Sequence, residues 1–128
     1  MSYLCDTCIL IDYLRGDQSI QQKLSFDINT GLFMSSVTDM ELMVGARNKQ
    51  EAHIIKKAFA NISIIDITEN ISRKSRQLIE TYSLSHGLQI PDALIAATAI
   101  ECHLPLYTAN IRDFRFIPNI ELIPQENN

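Results

Sequence analysis

Four acidic residues in four separate segments are the strongest candidates for chemistry in this 128-residue chain: Asp6, Glu41, Asp92 and Asp113. Asp6 interrupts the apolar run YLCDTCILI, which is otherwise typical of a buried segment. Two carboxylates about 4 Å apart repel by about 4 kcal/mol at an effective dielectric constant of about 20, so a natural cluster requires a neutralising partner. An all-oxygen cluster favours Mg²⁺ or Mn²⁺, and such ions recruit phosphate oxygens, which indicates phosphoryl transfer.

The Cys-x-x-Cys pair, Cys5 and Cys8, suggests a different chemistry, because thiol oxidoreductases carry a dithiol between a strand and a helix. The charge of Asp6 would raise the thiol pKa, which disfavours a reactive thiolate. A zinc site would need two further ligands at suitable spacing, and the remaining Cys and His residues are scattered: His53, His86, Cys102 and His103. We therefore interpret Cys5 as a buried strand residue and Cys8 as a small residue at a helix start, with thiol oxidoreductase chemistry as the minor alternative.

Alternating strand and helix patterns must position these residues. Short apolar runs predict five strands: Tyr3 to Cys5, Leu32 to Ser35, Ile62 to Ile65, Leu106 to Thr108 and Glu121 to Ile123. Periodicity and capping residues predict six helices: 7–14, 17–27, one capped by Ser36, 51–60, one from about 68 to Gly87, and 92–102. The last helix, DALIAATAIEC, is apolar on nearly every face and is expected to be buried.

The predicted fold is α/β, a three-layer α/β/α domain with a central, mainly parallel sheet of about five short strands, in one domain over residues 1–128. In such a sheet the carboxyl ends of the strands share one edge, and the following helices begin there. Asp6 ends the first strand, and Glu41 lies one turn into the helix after the second. Asp92 begins the buried helix, and Asp113 follows the fourth strand. Each could be an ordinary cap or surface residue, but together they predict a shared site.

Composition and charge exclude some classes of protein. With 46% hydrophobic and 20% charged residues the chain is typical of a folded globular protein, which excludes general disorder. A net charge of −4 argues against binding nucleic acid by overall positive charge. We interpret the basic residues as a solvated, mixed surface: Arg15, Arg47, Lys49, Lys56, Lys57, Arg73, Lys74, Arg76, Arg112 and Arg115. No signal peptide or membrane span is evident, so a cytoplasmic protein with no membrane contact is expected.

Four segments carry a resemblance to a known family. In this order and spacing, LCDTCILIDYLRGD, VTDMELMVGARN, PDALIAATAI and LYTANIRDF resemble the signature segments of the PIN-domain ribonucleases. More narrowly, they resemble the VapC-type toxins of bacterial toxin-antitoxin systems, and the similarity spans essentially the whole chain. Cys8 is a departure, because it stands where the family most often has Ser or Asn.

The resemblance implies a Mg²⁺-dependent endoribonuclease, with Mn²⁺ as the alternative ion. It assigns the catalytic quartet to Asp6, Glu41, Asp92 and Asp113, of which Asp6, Asp92 and Asp113 would hold the metal. It assigns supporting polar roles to Thr7, Thr108 and Asn110. The implied partners are an RNA substrate, a cognate VapB-type antitoxin and a second copy of the chain in a homodimer. A PIN-domain RNA-processing nuclease without a dedicated antitoxin is the alternative, and the intact quartet disfavours a binding module without activity.

Overall fold

The computed structural model describes residues 1–125, in which five short parallel strands form one central sheet. The strands are β1 (Tyr3–Cys5), β2 (Leu32–Ser35), β3 (Ser63–Ile65), β4 (Leu106–Thr108) and β5 (Leu122–Pro124), and their spatial order is β3-β2-β1-β4-β5. The predicted fold class is confirmed, and the sheet is parallel throughout. Residues 126–128, which the predicted domain includes, lie outside the described residues.

Six α-helices and two 3₁₀ turns connect the strands within this part of the chain. The helices are α1 (Thr7–Leu14), α2 (Gln18–Asp27), α3 (Ser36–Val44), α4 (Lys49–Ala58), α5 (Glu69–His86) and α6 (Ile90–Glu101), and the 3₁₀ turns are Ile28–Thr30 and Ile111–Asp113. The bounds of α1 and the end of α2 are as predicted, and the other predicted helix ends differ from the observed ones by one or two residues. No helix among the described residues is long and apolar enough to cross a membrane.

Capping residues explain two of these differences. Ser35, rather than Ser36, caps α3: its backbone is still extended at the end of β2, and its Oγ accepts a hydrogen bond from the N–H of Val37 at 3.1 Å. Asn48 caps α4 by accepting from the N–H of Glu51 at 2.8 Å, so α4 begins two residues earlier than predicted.

Helices cover both faces of the sheet, because successive strand residues point to opposite sides. Tyr3 and Cys5 belong to one core, which β1 shares mainly with α1, α2 and α4. Leu4 and Leu106 belong to the other core, which α5 and α6 cover. Residues 95–99 of α6 are all buried, as predicted for this apolar helix. Burial on this scale fixes the start of α6, and with it Asp92, against the sheet.

The strand order creates a switch point between β1 and β4. From β1 the chain winds outwards through β2 to β3, and α5 and α6 then carry it to the other side of β1, where β4 and β5 follow. Open α/β sheets bind ligands in the crevice at the carboxyl ends of the strands at such a point. Cys5 pairs with Tyr107, so the next two residues, Asp6 and Thr108, meet at this crevice.

Candidate active site

Asp6 is the centre of the candidate site and is only 4% exposed. It caps α1, because its Oδ1 accepts a hydrogen bond from the backbone N–H of Thr7 at 2.8 Å. Its Oδ2 accepts a hydrogen bond from the Thr108 hydroxyl at 2.7 Å and another from the Cys8 thiol at 3.3 Å. Every one of these partners is a donor, so the arrangement suits the ionised carboxylate, which can only accept.

The surroundings of both cysteines of the Cys-x-x-Cys pair disfavour a thiolate. Burial, followed by the charge of Asp6, raises the pKa of Cys8 to about 12. The same two causes raise the pKa of the fully buried Cys5 to about 12, and both cysteines are free. The interpretation of Cys5 as a buried strand residue is confirmed. Cys8 does more than the sequence indicated, because its thiol helps to hold the Asp6 carboxylate.

Thr7 connects Asp6 to Glu41. Its hydroxyl donates to Oε1 of Glu41 at 2.7 Å. A hydroxyl has one proton, so the 2.9 Å hydrogen bond between Thr7 and Thr38 must be donated by Thr38. Thr38 is buried and lies three residues before Glu41 on the same face of α3. Thr38 is absent from the predicted site, although its i, i+3 spacing to a predicted carboxylate was a usable signal.

Asp92 and Asp113 bring the remaining carboxylates to the same edge. Asp92 lies in the first turn of α6, Asp113 ends the 3₁₀ turn after β4, and both line one cavity. The pKa of Asp92 is raised to about 6, first by burial and then by the charges of Asp6, Asp113 and Glu41. The structure therefore brings the four predicted acids to one edge of the sheet, where the charges of the other three act on Asp92.

Within the described residues no salt bridge pairs a cation with any of these four acids. Burial raises the pKa of Asp6 even though the hydrogen bonds it accepts lower it. The ion pairs of residues 1–125 lie elsewhere and join Lys23 to Asp27, Arg47 to Glu51 and Arg73 to Glu69. Nor do any three Cys, His, Asp or Glu side chains in this range lie close enough to enclose a metal ion by themselves. An ion held here would keep water or substrate oxygens as ligands, as Mg²⁺ commonly does.

Asn110 acts on the site through its backbone. The residue is exposed, and its N–H donates to Oγ1 of Thr108 at 2.9 Å. Because this bond occupies an acceptor position of the Thr108 hydroxyl, the hydroxyl proton is left for Asp6. The backbone of Asn110 therefore helps to orient the Thr108 hydroxyl, which donates to the buried Asp6 carboxylate.

Comparisons with known proteins agree with this geometry. A model of the PIN domain family matches residues 3–118. Over 121 residues the chain is 35% identical to ribonuclease VapC19 of Mycobacterium tuberculosis, which covers 92% of this chain and 96% of the relative. Among solved structures, a toxin-antitoxin complex from Klebsiella pneumoniae is 33% identical with a TM-score of 0.77, over 94% of this chain and 95% of that one. VapBC2 from Rickettsia felis, bound to a DNA fragment from their promoter, is 26% identical with a TM-score of 0.86, over 98% of this chain and 100% of that one.

The raised pKa of Asp92 predicts a pH-dependent loss of stability in metal-free protein. Between the ordinary pKa of 3.8 and the folded value of about 6, the folded state binds more protons at Asp92 than the unfolded state, so stability falls as pH rises. We expect Asp92→Asn to remove this contribution and to raise the free energy of unfolding at about pH 7.5 by about 1 to 2 kcal/mol, allowing for solvent screening. Urea denaturation in EDTA measures it.

The control is Asp66→Asn, since Asp66 is an exposed aspartate outside the site. At about pH 7.5 its stability difference from the parent should be smaller than that of Asp92→Asn. If the Asp92→Asn difference did not change between about pH 4 and pH 7.5, burial and the neighbouring charges would not act on Asp92 as described.

Proposed function

The chain belongs to the PIN-domain family, and from this we propose that it is a metal-dependent endoribonuclease of the VapC type, the toxin of a toxin-antitoxin pair. One observation carries the proposal: Asp6, Glu41, Asp92 and Asp113 come from four segments and meet at the carboxyl edge of the sheet, where the charges of the other three act on Asp92. The similarity to a VapC ribonuclease and to toxin-antitoxin complexes supports RNA as the substrate and a toxin role. Action on cellular RNA implies a cytoplasmic location.

The donor set fits a hard divalent cation. The candidate ligands are carboxylate oxygens, and within the described residues no Lys or Arg forms a salt bridge with them. We propose that Asp6, Asp92 and Asp113 hold Mg²⁺, or alternatively Mn²⁺, directly or through water. When bound, such an ion supplies an acidified water and stabilises charge that develops on the phosphate.

The chain's own residues orient and activate the reacting groups. Glu41 is exposed at the rim, and the hydroxyl of Thr7 holds its Oε1, so its carboxylate is placed to orient the attacking water and accept a proton. Asp6 stays fixed because its partners come from both α1 and β4. In-line attack at an RNA phosphodiester would leave a 5′-phosphate and a 3′-hydroxyl.

A cognate VapB-type antitoxin would inhibit the enzyme by lying along α1. Three apolar residues of α1 differ in exposure: Leu10 is fully buried and Ile11 is half-buried, whereas Leu14 is 39% exposed and available for such a contact. The helix spans eight residues, or about 12 Å, between Asp6 and Leu14. A short amphipathic segment that covers Leu14 can therefore reach the acidic group with an arginine, whose guanidinium pairs well with carboxylates.

We also propose that the chain forms a homodimer. Val44, Leu84 and Ile90 are large apolar side chains that are more than half exposed in the single chain. They lie on α3, α5 and α6, and both α3 and α5 contact α6, so a second copy could cover them as one apolar patch. Sedimentation analysis of the purified chain measures the oligomeric state.

The carboxylate site predicts metal-dependent cleavage. Without a cation the four acids repel one another and the substrate phosphate, so single-stranded RNA should be cut with Mg²⁺ or Mn²⁺ and remain intact in EDTA. Asp6→Asn and Asp92→Asn should each lower the cleavage rate by about 10²-fold or more, with unchanged circular dichroism. Gel analysis of a labelled RNA measures both results, and full activity in EDTA would contradict the mechanism.

Cys8→Ser is the matched control for this experiment. A serine hydroxyl can donate to Oδ2 of Asp6 in place of the thiol, so the rate should stay within about tenfold of the parent, which corresponds to about 1.4 kcal/mol. Loss of all cleavage in Cys8→Ser, with normal folding and metal affinity, would restore a direct role for the thiol.

The proposed antitoxin contact predicts that Leu14→Glu separates inhibition from catalysis. A charge at this position should weaken binding of the protein encoded by the neighbouring reading frame by about tenfold or more, because the apolar contact is lost. RNA cleavage should be unaffected, since Leu14 lies at the far end of α1 from Asp6. Calorimetry and the cleavage assay measure the two effects.

Ile67→Glu is the matched control, since Ile67 is 38% exposed but follows the edge strand β3. It should bind the antitoxin like the parent. If the chain cuts RNA but causes no growth arrest in a bacterial host and no neighbouring product binds it, an RNA-processing nuclease becomes the better assignment.

A further inference from the structure

A cavity of about 440 Å³ adjoins the acidic group and carries side chains of different chemistry. Asp92 and Asp113 contribute acids to its lining, and the other side chains that matter here are His86, Arg112, Arg115 and Phe116. Its volume falls within the range of about 300 to 1,000 Å³ in which proteins hold small ligands. The cavity therefore has room for one chemical group of the substrate beside the catalytic carboxylates.

Arg112 and Arg115 bring positive charge to this cavity. Both are exposed, and within residues 1–125 neither guanidinium group forms a salt bridge or a hydrogen bond. Their backbone is nevertheless fixed, because Phe114 and Ile117 are buried in the core under α6. Guanidinium groups without a protein partner on an anchored segment are suited to bidentate binding of a phosphate.

His86 and Phe116 form a stacked pair at the same cavity. Their ring centroids lie 4.3 Å apart with an interplanar angle of 17°, and the ring of Tyr82 packs against both. The hydroxyl of Ser85 contacts Nδ1 of His86 at 2.7 Å. Gly87 ends α5 with a φ of 69°, which turns the chain so that His86 lies beside the start of α6. The imidazole is thus both exposed and held in one orientation.

We propose that this cavity binds one nucleotide of the single-stranded RNA substrate, next to the phosphate that is cut. The base stacks on His86, and the nucleotide's phosphate lies between Arg112 and Arg115. Aromatic stacking and cationic phosphate contacts are two common ways in which proteins hold single-stranded nucleic acid. With a net charge of −4 the chain has no general attraction for RNA, so local cations must supply it. This inference rests on the proposed nuclease function and names the residues that hold its substrate.

The test separates binding from cleavage. RNA affinity is measured by fluorescence anisotropy of a labelled single-stranded RNA on the full-length Asp6→Asn protein with Mg²⁺, and on Glu41→Gln with Mg²⁺ if Asp6→Asn does not fold. Arg112→Ala and Arg115→Ala should each weaken binding about tenfold and reduce the slope of log affinity against log salt by about 0.7. Lys57→Ala is the control with unchanged affinity, because Lys57 lies in the last turn of α4, which leads to the amino end of β3.

Substitutions of His86 test whether the base stacks on its imidazole. His86→Ala should weaken binding by about tenfold without changing the salt slope, and His86→Phe should restore affinity to within about twofold of the parent. An RNA with one abasic nucleotide at the cleavage position should bind His86→Ala and its parent equally well. A structural role for His86 would instead produce the same loss with both RNAs.

Three results would overturn the proposal. Affinities of all cavity variants within twofold of the parent would show that the RNA lies elsewhere. Loss of antitoxin binding with unchanged RNA affinity would assign the cavity to the protein partner. Equal losses in His86→Phe and His86→Ala would exclude stacking. These results can be distinguished from failure of the proposed nuclease function, because in that case the unaltered chain would cut no RNA with Mg²⁺.

Discussion

Removing the Asp6 carboxylate from water costs several kcal/mol, and the structure around the carboxyl ends of β1 and β4 is built to offset that cost. The carboxylate accepts hydrogen bonds from Thr7, Cys8 and Thr108, which come from two separate elements. The compensation is partial, because burial still raises the pKa of Asp6. A carboxylate whose charge is only partly compensated is suited to binding a cation. The parallel register of β1 and β4 holds Asp6 beside Thr108.

The other acids follow from the same constraint. Each is delivered by an element that begins or ends at the carboxyl edge of the sheet: Glu41 by α3, Asp92 by α6 and Asp113 by the 3₁₀ turn after β4. Thr7 and Thr38 tie Glu41 to the Asp6 end of α1, so the two acids are positioned by one hydrogen-bonded chain. Repulsion between the like charges at the site destabilises the folded state. Burial of apolar side chains in the two cores, one on each face of the sheet, offsets this cost.

Much of this was predictable because local signals were strong. A charged residue inside an apolar run identified Asp6, and apolar runs bounded by turns gave β1, β2 and β4 their observed ends. Features that depend on contacts between distant segments were not predictable in the same way. Arg112 and Arg115 were interpreted as a solvated surface because nothing local shows that they share a cavity with His86. The sequence likewise left open which apolar residues of α1 are exposed, since that depends on how α2 and α3 pack against the helix.

The central claim is that the four carboxylates form one site for a divalent cation, and its most direct test is the position of Mn²⁺ in a crystal soaked with that ion. Anomalous scattering locates Mn²⁺ independently of any assay of activity. The account predicts a peak at the carboxyl ends of β1 and β4, with oxygens of Asp6 and Asp92 as direct or water-mediated ligands. A fully folded protein with Mn²⁺ bound only elsewhere, or with no peak at this edge at saturating Mn²⁺, would contradict it.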